Sequence, residues 1–208
     1  MDALTAIFGD KTKVKILRLF MFNPETPFLI TEVSSRTLSL PRLVNHELAI
    51  LENACILLKR RHISKEDINS GKKSGPRRVK GVGYLLNPKF QYLEALKNLL
   101  SISSISADPA LAKRFAGAGR LKLVLAAGVF VQDWSSRVDL LLVGDDLNLH
   151  KIETAIKALE AEIGKEIAYS AFSTQDFEYR MGIHDRLVRD IFDYPHIMLI
   201  DRLGVEPH

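Results

Sequence analysis

The chain has one cysteine and no long apolar segment, and each absence excludes a class of protein. Cys55 has no second cysteine with which to form an intramolecular disulfide or a structural zinc site. The most apolar stretch, residues 123–131, is nine residues long, whereas a membrane helix needs about 20. The N-terminus lacks the cationic start and apolar core of a signal peptide. We therefore expect a cytoplasmic protein without a membrane partner.

The sequence also lacks the residue patterns of a metal or nucleophilic site. Six histidines are present, at positions 46, 62, 150, 184, 196 and 208, and they show no metal-ligand spacing. No Ser/His/Asp or Cys/His constellation stands out, and no glycine-rich phosphate loop opens a helix. The sequence therefore predicts no metal, no cofactor and no catalytic residues.

Charge is unevenly distributed along the chain. The formal net charge is +4, but residues 1–100 carry 17 Lys or Arg against 9 Asp or Glu, and residues 120–208 carry 10 against 15. This uneven charge suggests two domains, of which the first, with its excess of positive charge, is suited to bind a polyanion.

Hydrophobic spacing in the first half predicts three helices followed by two paired strands. Asp10 is suited to cap the first helix, Thr31 the second, and Pro41 suits the first position of the third. The predicted helices cover Asp10–Phe22, Thr31–Leu38 and Pro41–Asn53, and the strands cover 56–63 and 79–86.

The helix 41–53 has two distinct faces. Val44, Leu48, Leu51 and Cys55 recur at helical spacing and should pack on the core. Arg42, Asn45 and His46 then point away from the core. Arg can bind guanine edges and Asn can pair with adenine edges, so this face is suited to read bases. A solvated helix face would use the same residue types, and that alternative stays open.

Residues 59–80, the basic segment, hold nine Lys or Arg against two acids. We expect its cations to contact the phosphates or the minor groove of double-stranded DNA beside helix 41–53. A solvated charge run is the alternative. The candidate contacts are Lys59, Arg60, Arg61, Lys72, Lys73, Arg77, Arg78 and Lys80.

The remaining elements predict an α+β fold with two domains. A helix over 90–100 has an apolar stripe wide enough to pack on its own domain and on a partner chain, and Ser101–Asp108 is predicted to be a linker. After residue 109, strands alternate with helices, which is typical of a small α/β layer structure. The domains are expected at 1–100 and 109–208.

The second half resembles nucleotidyltransferase-like domains through the strand before Gly128 and the pattern Ser136–Asp145. Those domains carry Gly-Ser after the first strand, two metal-binding aspartates on the second and a third carboxylate on the next. Here Val129 follows Gly128, Arg137 stands at the first aspartate position and no carboxylate lies in 167–169. Only Asp139 remains, which implies a degenerate, non-catalytic relative. Asp139 is expected to pair with Arg137 or to cap the sheet edge.

The first half resembles the winged-helix domains fused to such domains in prokaryotic transcriptional regulators. Matching segments are 8–20, 44–54 and 84–90, and their order is the stronger signal. The resemblance implies a DNA-binding regulator with helix 41–53 in the major groove and the basic segment as the wing. A homodimer reading a pseudo-palindrome is then expected, because one winged-helix module covers few base pairs. The second domain is expected to mediate dimerisation or to sense a small-molecule or protein effector.

Two other functions stay open at this point. A nucleotidyltransferase could use Asp139, with the winged helix recruiting its substrate. A protein-interaction adaptor could use the winged helix to contact another protein, and it would bind no DNA.

Overall fold

The chain is a mixed α+β protein with two separate sheets. The computed structural model describes residues 3–65, 77–102, 109–133 and 135–205, and for residues 61–65, 77–80, 101, 102 and 109 it describes the backbone alone. Contacts divide the chain into two compact units. Unit 1 comprises residues 1–103 and 160–165, and unit 2 comprises residues 104–159 and 166–208.

Unit 1 contains a helical group and a three-stranded antiparallel sheet in the order β1-β3-β2. The helices bury their apolar faces together, with Ile16, Phe20, Val33 and Leu48 fully buried. The elements are α1 (Ala3–Phe8), α2 (Lys11–Phe22), β1 (Phe28–Leu29), α3 (Ile30–Thr37), α4 (Pro41–Asn53), β2 (Leu57–Lys65), β3 (Arg77–Leu86) and α5 (Leu93–Ile102).

The helix α2 begins as the sequence predicts, because Asp10 caps it. Its carboxylate accepts hydrogen bonds from the backbone N–H groups of Thr12 at 2.5 Å and Lys13 at 3.1 Å. Partial burial alone raises the pKa of Asp10, but the bonds from Lys13 and Thr12 outweigh it. The pKa therefore lies below the ordinary aspartate value, because these bonds favour the charged form.

The start of α3 differs from the prediction. The helix begins at Ile30, one residue before the predicted cap Thr31. The Glu32 carboxylate reaches back and accepts the backbone N–H of Leu29 at 2.7 Å, which satisfies a group that the helix leaves free. The prediction of Thr31 as the cap was therefore wrong.

The end of α4 also corrects the sequence analysis. Pro41 is the first residue of α4, as predicted, and Val44, Leu48 and Leu51 are buried. Cys55 is exposed, because the helix ends at Asn53 and the chain turns with a positive φ of 58° at Cys55. Cys55 therefore does not extend the buried stripe.

The helix α5 extends two residues into the predicted linker. It runs from Leu93 to Ile102, so Ser101 and Ile102 complete its last turn. The remainder of the predicted linker, residues 103–108, lies outside the described residues.

Unit 2 is built on a four-stranded sheet in the order β6-β5-β4-β7, in which only the β5–β6 pair is parallel. One face packs Leu123, Leu125 and Leu141 against Phe177 and Val188. The first helix of the unit is short: it ends at Lys113, and the chain continues in turns. The remaining elements are α6 (Pro109–Lys113), β4 (Arg120–Ala127), β5 (Leu140–Asp145), α7 (Leu149–Ile163), β6 (Tyr169–Ser173), α8 (Thr174–Gly182), α9 (Arg186–Asp193) and β7 (His196–Asp201), with a short 3-10 helix at Gly128–Phe130. All belong to unit 2 except residues 160–163 of α7, which belong to unit 1.

Within the described part of the chain, every helix is too short or too polar to cross a lipid bilayer.

The Asp10 cap yields a stability prediction. Asp10→Ala should lower the free energy of unfolding by about 1 kcal/mol at pH 7, because two backbone N–H groups lose their acceptor. Since the folded pKa is lowered, the contribution is complete above the unfolded pKa and disappears as the pH falls through the folded pKa. The free energies of unfolding of the variant and the parent, measured with urea, should therefore approach each other in acid. A difference that persists unchanged down to about pH 2, or an equal loss in the exposed control Glu178→Ala, would contradict it.

Candidate functional site

The outward face of α4 carries the residues that the sequence analysis singled out. Arg42, Asn45 and His46 are all exposed, and Ala49 continues the same face. Their exposure follows from the burial of Val44, Leu48 and Leu51 on the opposite side of the helix. Three side chains able to donate or accept hydrogen bonds to bases therefore project from one helix.

An ion pair that the sequence analysis missed joins α4 to α2. Glu47 is buried, and its carboxylate lies 3.4 Å from the ammonium of Lys13. Lys13 also donates to the backbone oxygen of Phe8 at 3.3 Å. Only an unexpected glutamate at the edge of the apolar stripe of α4 hinted at this contact. The pair joins α4 to α2, and breaking it would be costly because the buried Glu47 carboxylate would lose its partner.

A second contact joins the end of α4 to the hairpin of β2 and β3. Glu52 accepts a hydrogen bond from the Tyr84 hydroxyl at 3.4 Å and lies 3.6 Å from the ammonium of Lys59. Lys59 also lies 5.9 Å from the centre of the Tyr84 ring and pairs with Tyr84 across the two strands. The pKa of Tyr84 is raised, mainly because the hydroxyl is partly buried and also because Glu52 lies beside it. Lys59 acts in the opposite direction. Lys59, a candidate DNA contact, thus also has a structural role.

Both acids of α4 are therefore engaged inside unit 1. Glu47 pairs with Lys13, Glu52 contacts Lys59 and Tyr84, and the first turn of the helix contains no acid. Around Arg42, Asn45 and His46 the outward face of α4 therefore has no carboxylate that would repel a phosphate backbone, and Glu52, with a side chain 33% exposed near the end of the helix, is paired with Lys59.

The hairpin carries much of the basic segment. Arg60 is exposed on β2, whereas Arg61, Arg77, Arg78 and Lys80 lie in the strand segments 61–65 and 77–80, for which the backbone alone is described. Lys72 and Lys73 lie outside the described residues. The structure therefore positions six of the eight proposed cations on or beside one antiparallel pair.

The sheet of unit 1 narrows from three strands to two along the hairpin. β1 pairs with β3 only at Tyr84 and Gly83, so from Gly83 towards Arg77 the described residues form a ribbon of β2 and β3 alone. The register shifts between Arg60 and His62, which places a bulge at the base of this ribbon. A bulge bends the ribbon and increases its twist, and bulges often redirect side chains at binding sites.

In unit 2, Asp139 acts as a clamp on the backbone. It is buried, and its Oδ1 accepts the N–H of Val129 while its Oδ2 accepts the N–H of Ala168, both at 2.8 Å. Its own N–H donates to the Ala168 oxygen at 2.6 Å. One carboxylate thereby ties β5 to the turn after β4 and to the start of β6.

Gly128 is required for this clamp. Its φ is +52°, and a Cβ there would stand 2.0 Å from Asp139 Oδ1. Any larger residue would therefore displace the carboxylate as well as strain the backbone.

Arg137 does not share this environment. Its side chain is largely exposed, and its guanidinium lies 3.9 Å from the Asp190 carboxylate. Of the two roles expected for Asp139, pairing with Arg137 was wrong, because Arg137 pairs with Asp190, whereas the buried Asp139 carboxylate accepts two backbone N–H groups.

Asp145, another carboxylate of unit 2, also has partners within the fold. Asp145 accepts a hydrogen bond from Thr174 at 2.6 Å and contacts Lys122 at 3.0 Å. Both contacts lower the pKa of Asp145, and the hydrogen bond from Thr174 has the larger effect. Nowhere in the described ranges do three His, Cys, Asp or Glu side chains come close enough to hold a metal ion. Trp134, which precedes Asp139 in sequence, lies outside those ranges.

Comparisons of the chain with protein-family models, with curated proteins and with solved structures give no match. Three features of the molecule bear on its function: the exposed face of α4, the cationic hairpin beside it and the engaged carboxylate of Asp139.

The clamp yields a prediction. Asp139→Asn should lower the free energy of unfolding by about 1–3 kcal/mol. The amide has only one oxygen, so one of the two backbone N–H groups, of Val129 or of Ala168, would face an NH2 group and lose its acceptor. Urea or thermal unfolding measures the loss. Asp146→Asn removes a carboxylate that pairs with Arg120 on the surface, so it should cost less than about 1 kcal/mol. Equal effects of the two substitutions would contradict the clamp.

Proposed function

We propose that the chain is a sequence-specific DNA-binding transcriptional regulator. The observation that carries the proposal is the exposed Arg42, Asn45 and His46 face of α4 beside a hairpin rich in cations. Base edges are read by such side chains in the major groove, and phosphates are bound by such cations. In this proposal unit 1 is a winged-helix domain, in which α3 and α4 form the helix-turn-helix and β2 and β3 form the wing.

The proposed mechanism divides the contacts into two kinds. Arg42 and Asn45 contact guanine and adenine edges, and His46 contacts a base or a phosphate. The cations of the basic segment neutralise phosphates or enter the minor groove. The contacts of Glu52 hold α4 to the hairpin, and the Glu47–Lys13 pair holds α4 to α2, so both kinds of contact act as one surface.

Unit 2 is proposed to be a degenerate nucleotidyltransferase-like domain without catalytic activity. This proposal is supported by Asp139, because both of its carboxylate oxygens accept hydrogen bonds from backbone N–H groups. Its proposed tasks are homodimerisation or the sensing of an effector. A two-fold dimer would read a pseudo-palindrome, since one winged helix covers few base pairs. A regulator of this kind acts in the cytoplasm.

The enzyme alternative makes a different demand on Asp139. It requires magnesium-dependent binding of a nucleoside triphosphate, measurable by calorimetry, that Asp139→Asn abolishes while the protein stays folded. Detection of such binding would replace our proposal for unit 2.

Selection of bound duplexes from a random library tests the reading residues. The parent protein should select a defined motif, and Arg42→Ala and Asn45→Ala should each lose preference at particular base positions, at a cost of about 1–3 kcal/mol per contact. Lys157→Ala, an exposed change on α7, should keep the motif. Motifs that stay unchanged in both α4 variants would remove α4 as the reading element.

Salt dependence tests the basic segment. Neutralisation of about five phosphates predicts a slope of log affinity against log salt of about −4 to −5. Arg60→Ala should reduce the size of that slope by about 1, because one phosphate contact is lost, whereas Lys157→Ala should leave it unchanged. Binding that hardly responds to salt would contradict the role of the basic segment, and no binding even at low salt would favour the adaptor.

A further inference from the structure

A group of exposed leucines surrounds the start of α4. The side chains of Leu38, Leu40 and Leu43 are 57%, 70% and 44% exposed. Leu38 and Leu40 lie in the turn between α3 and α4, and Leu43 is the third residue of α4. Arg42 and His46, on the same helix, are exposed as well.

Two of these leucines occupy positions where stability alone would favour another residue. Leu40 is the N-cap of α4 and makes no side-chain cap hydrogen bond, although Ser, Thr, Asp or Asn would supply one. Leu38 closes α3 in the left-handed conformation with φ of 49°, which favours Gly or Asn. Residues that break local rules without gaining burial are expected at functional sites.

We propose that Leu40 and Leu43 read thymine methyl groups, so that A·T pairs in the bound site are chosen by apolar contact. The inference rests on the proposed DNA binding and adds a determinant of its specificity. In the major groove only thymine presents a methyl group, and apolar side chains recognise it. Residues at the N-terminal end of a groove-bound helix are the ones that reach base edges, and both leucines lie there.

The surroundings of the leucines favour DNA over an apolar protein surface as the occupant. Arg42 lies between Leu40 and Leu43 in sequence and is exposed, and the first turn of α4 contains no acid. A purely apolar partner would bury the Arg42 charge without a partner, which is costly. A duplex offers methyl groups and phosphates together, so it can satisfy leucines and arginine at once.

Replacement of thymine by deoxyuridine in the selected duplex tests the inference. This change removes the methyl group alone. The parent protein should lose about fourfold in affinity at the contacted thymine, the factor expected for one buried carbon. At the thymine that Leu43 contacts, Leu43→Ala should bind both duplexes with nearly equal affinity, whereas Leu149→Ala, a change at an exposed leucine of α7, should respond as the parent does.

Leu40→Ser separates a reading role from a structural one. The serine hydroxyl would supply the missing cap, so the melting temperature should rise while the response to deoxyuridine shrinks. A structural leucine would leave that response unchanged.

The outcomes distinguish the inference from the function on which it rests. If the protein binds a selected duplex but deoxyuridine has no effect at any thymine, or the motif contains no preferred A·T pair, the leucine inference is wrong and DNA binding stands. If no duplex is bound at low salt, the proposed function fails and the leucine inference fails with it.

Discussion

The burial of one side of α4 is the constraint on which the candidate site depends. Val44, Leu48 and Leu51 can leave water only by packing on the other helices of unit 1, and a helix that buries this side must present the opposite side. The Lys13–Glu47 pair then limits the remaining freedom of the helix to rotate. The arrangement of the polar face is thus a consequence of apolar packing, with the ion pair adding orientation rather than net stability.

The same helix also sets the position of the hairpin. Glu52 at its end contacts Tyr84 on β3 and Lys59 on β2, so the strands that bear the basic segment are tied to α4. From Gly83 towards Arg77, the described residues of the sheet form two strands instead of three, and the bulge near Arg60 lies where the third strand ends. A firmly held base with a cationic extension suits a surface that must follow a charged groove.

Unit 2 illustrates how one residue type serves different chemistry in different surroundings. An aspartate beside other carboxylates and facing solvent can hold a metal, whereas Asp139 faces the N–H groups of Val129 and Ala168. The nearby Gly128, with its positive φ, leaves the space that this carboxylate needs. The resemblance to a catalytic strand pattern is thus compatible with a purely structural use of its remaining aspartate.

Local signals in the sequence determined the elements that depend on neighbouring residues. The Asp10 cap, the start of α4 at Pro41 and the exposed position of Arg42 were predicted correctly, because capping and 3.6-residue periodicity act within a few residues. Cys55 was misplaced, since periodicity cannot tell where a helix stops when the chain turns through a positive φ. Only the tertiary structure decided the partners of Glu47 and Asp139, because those contacts join segments that are far apart in sequence and close only after the core has formed.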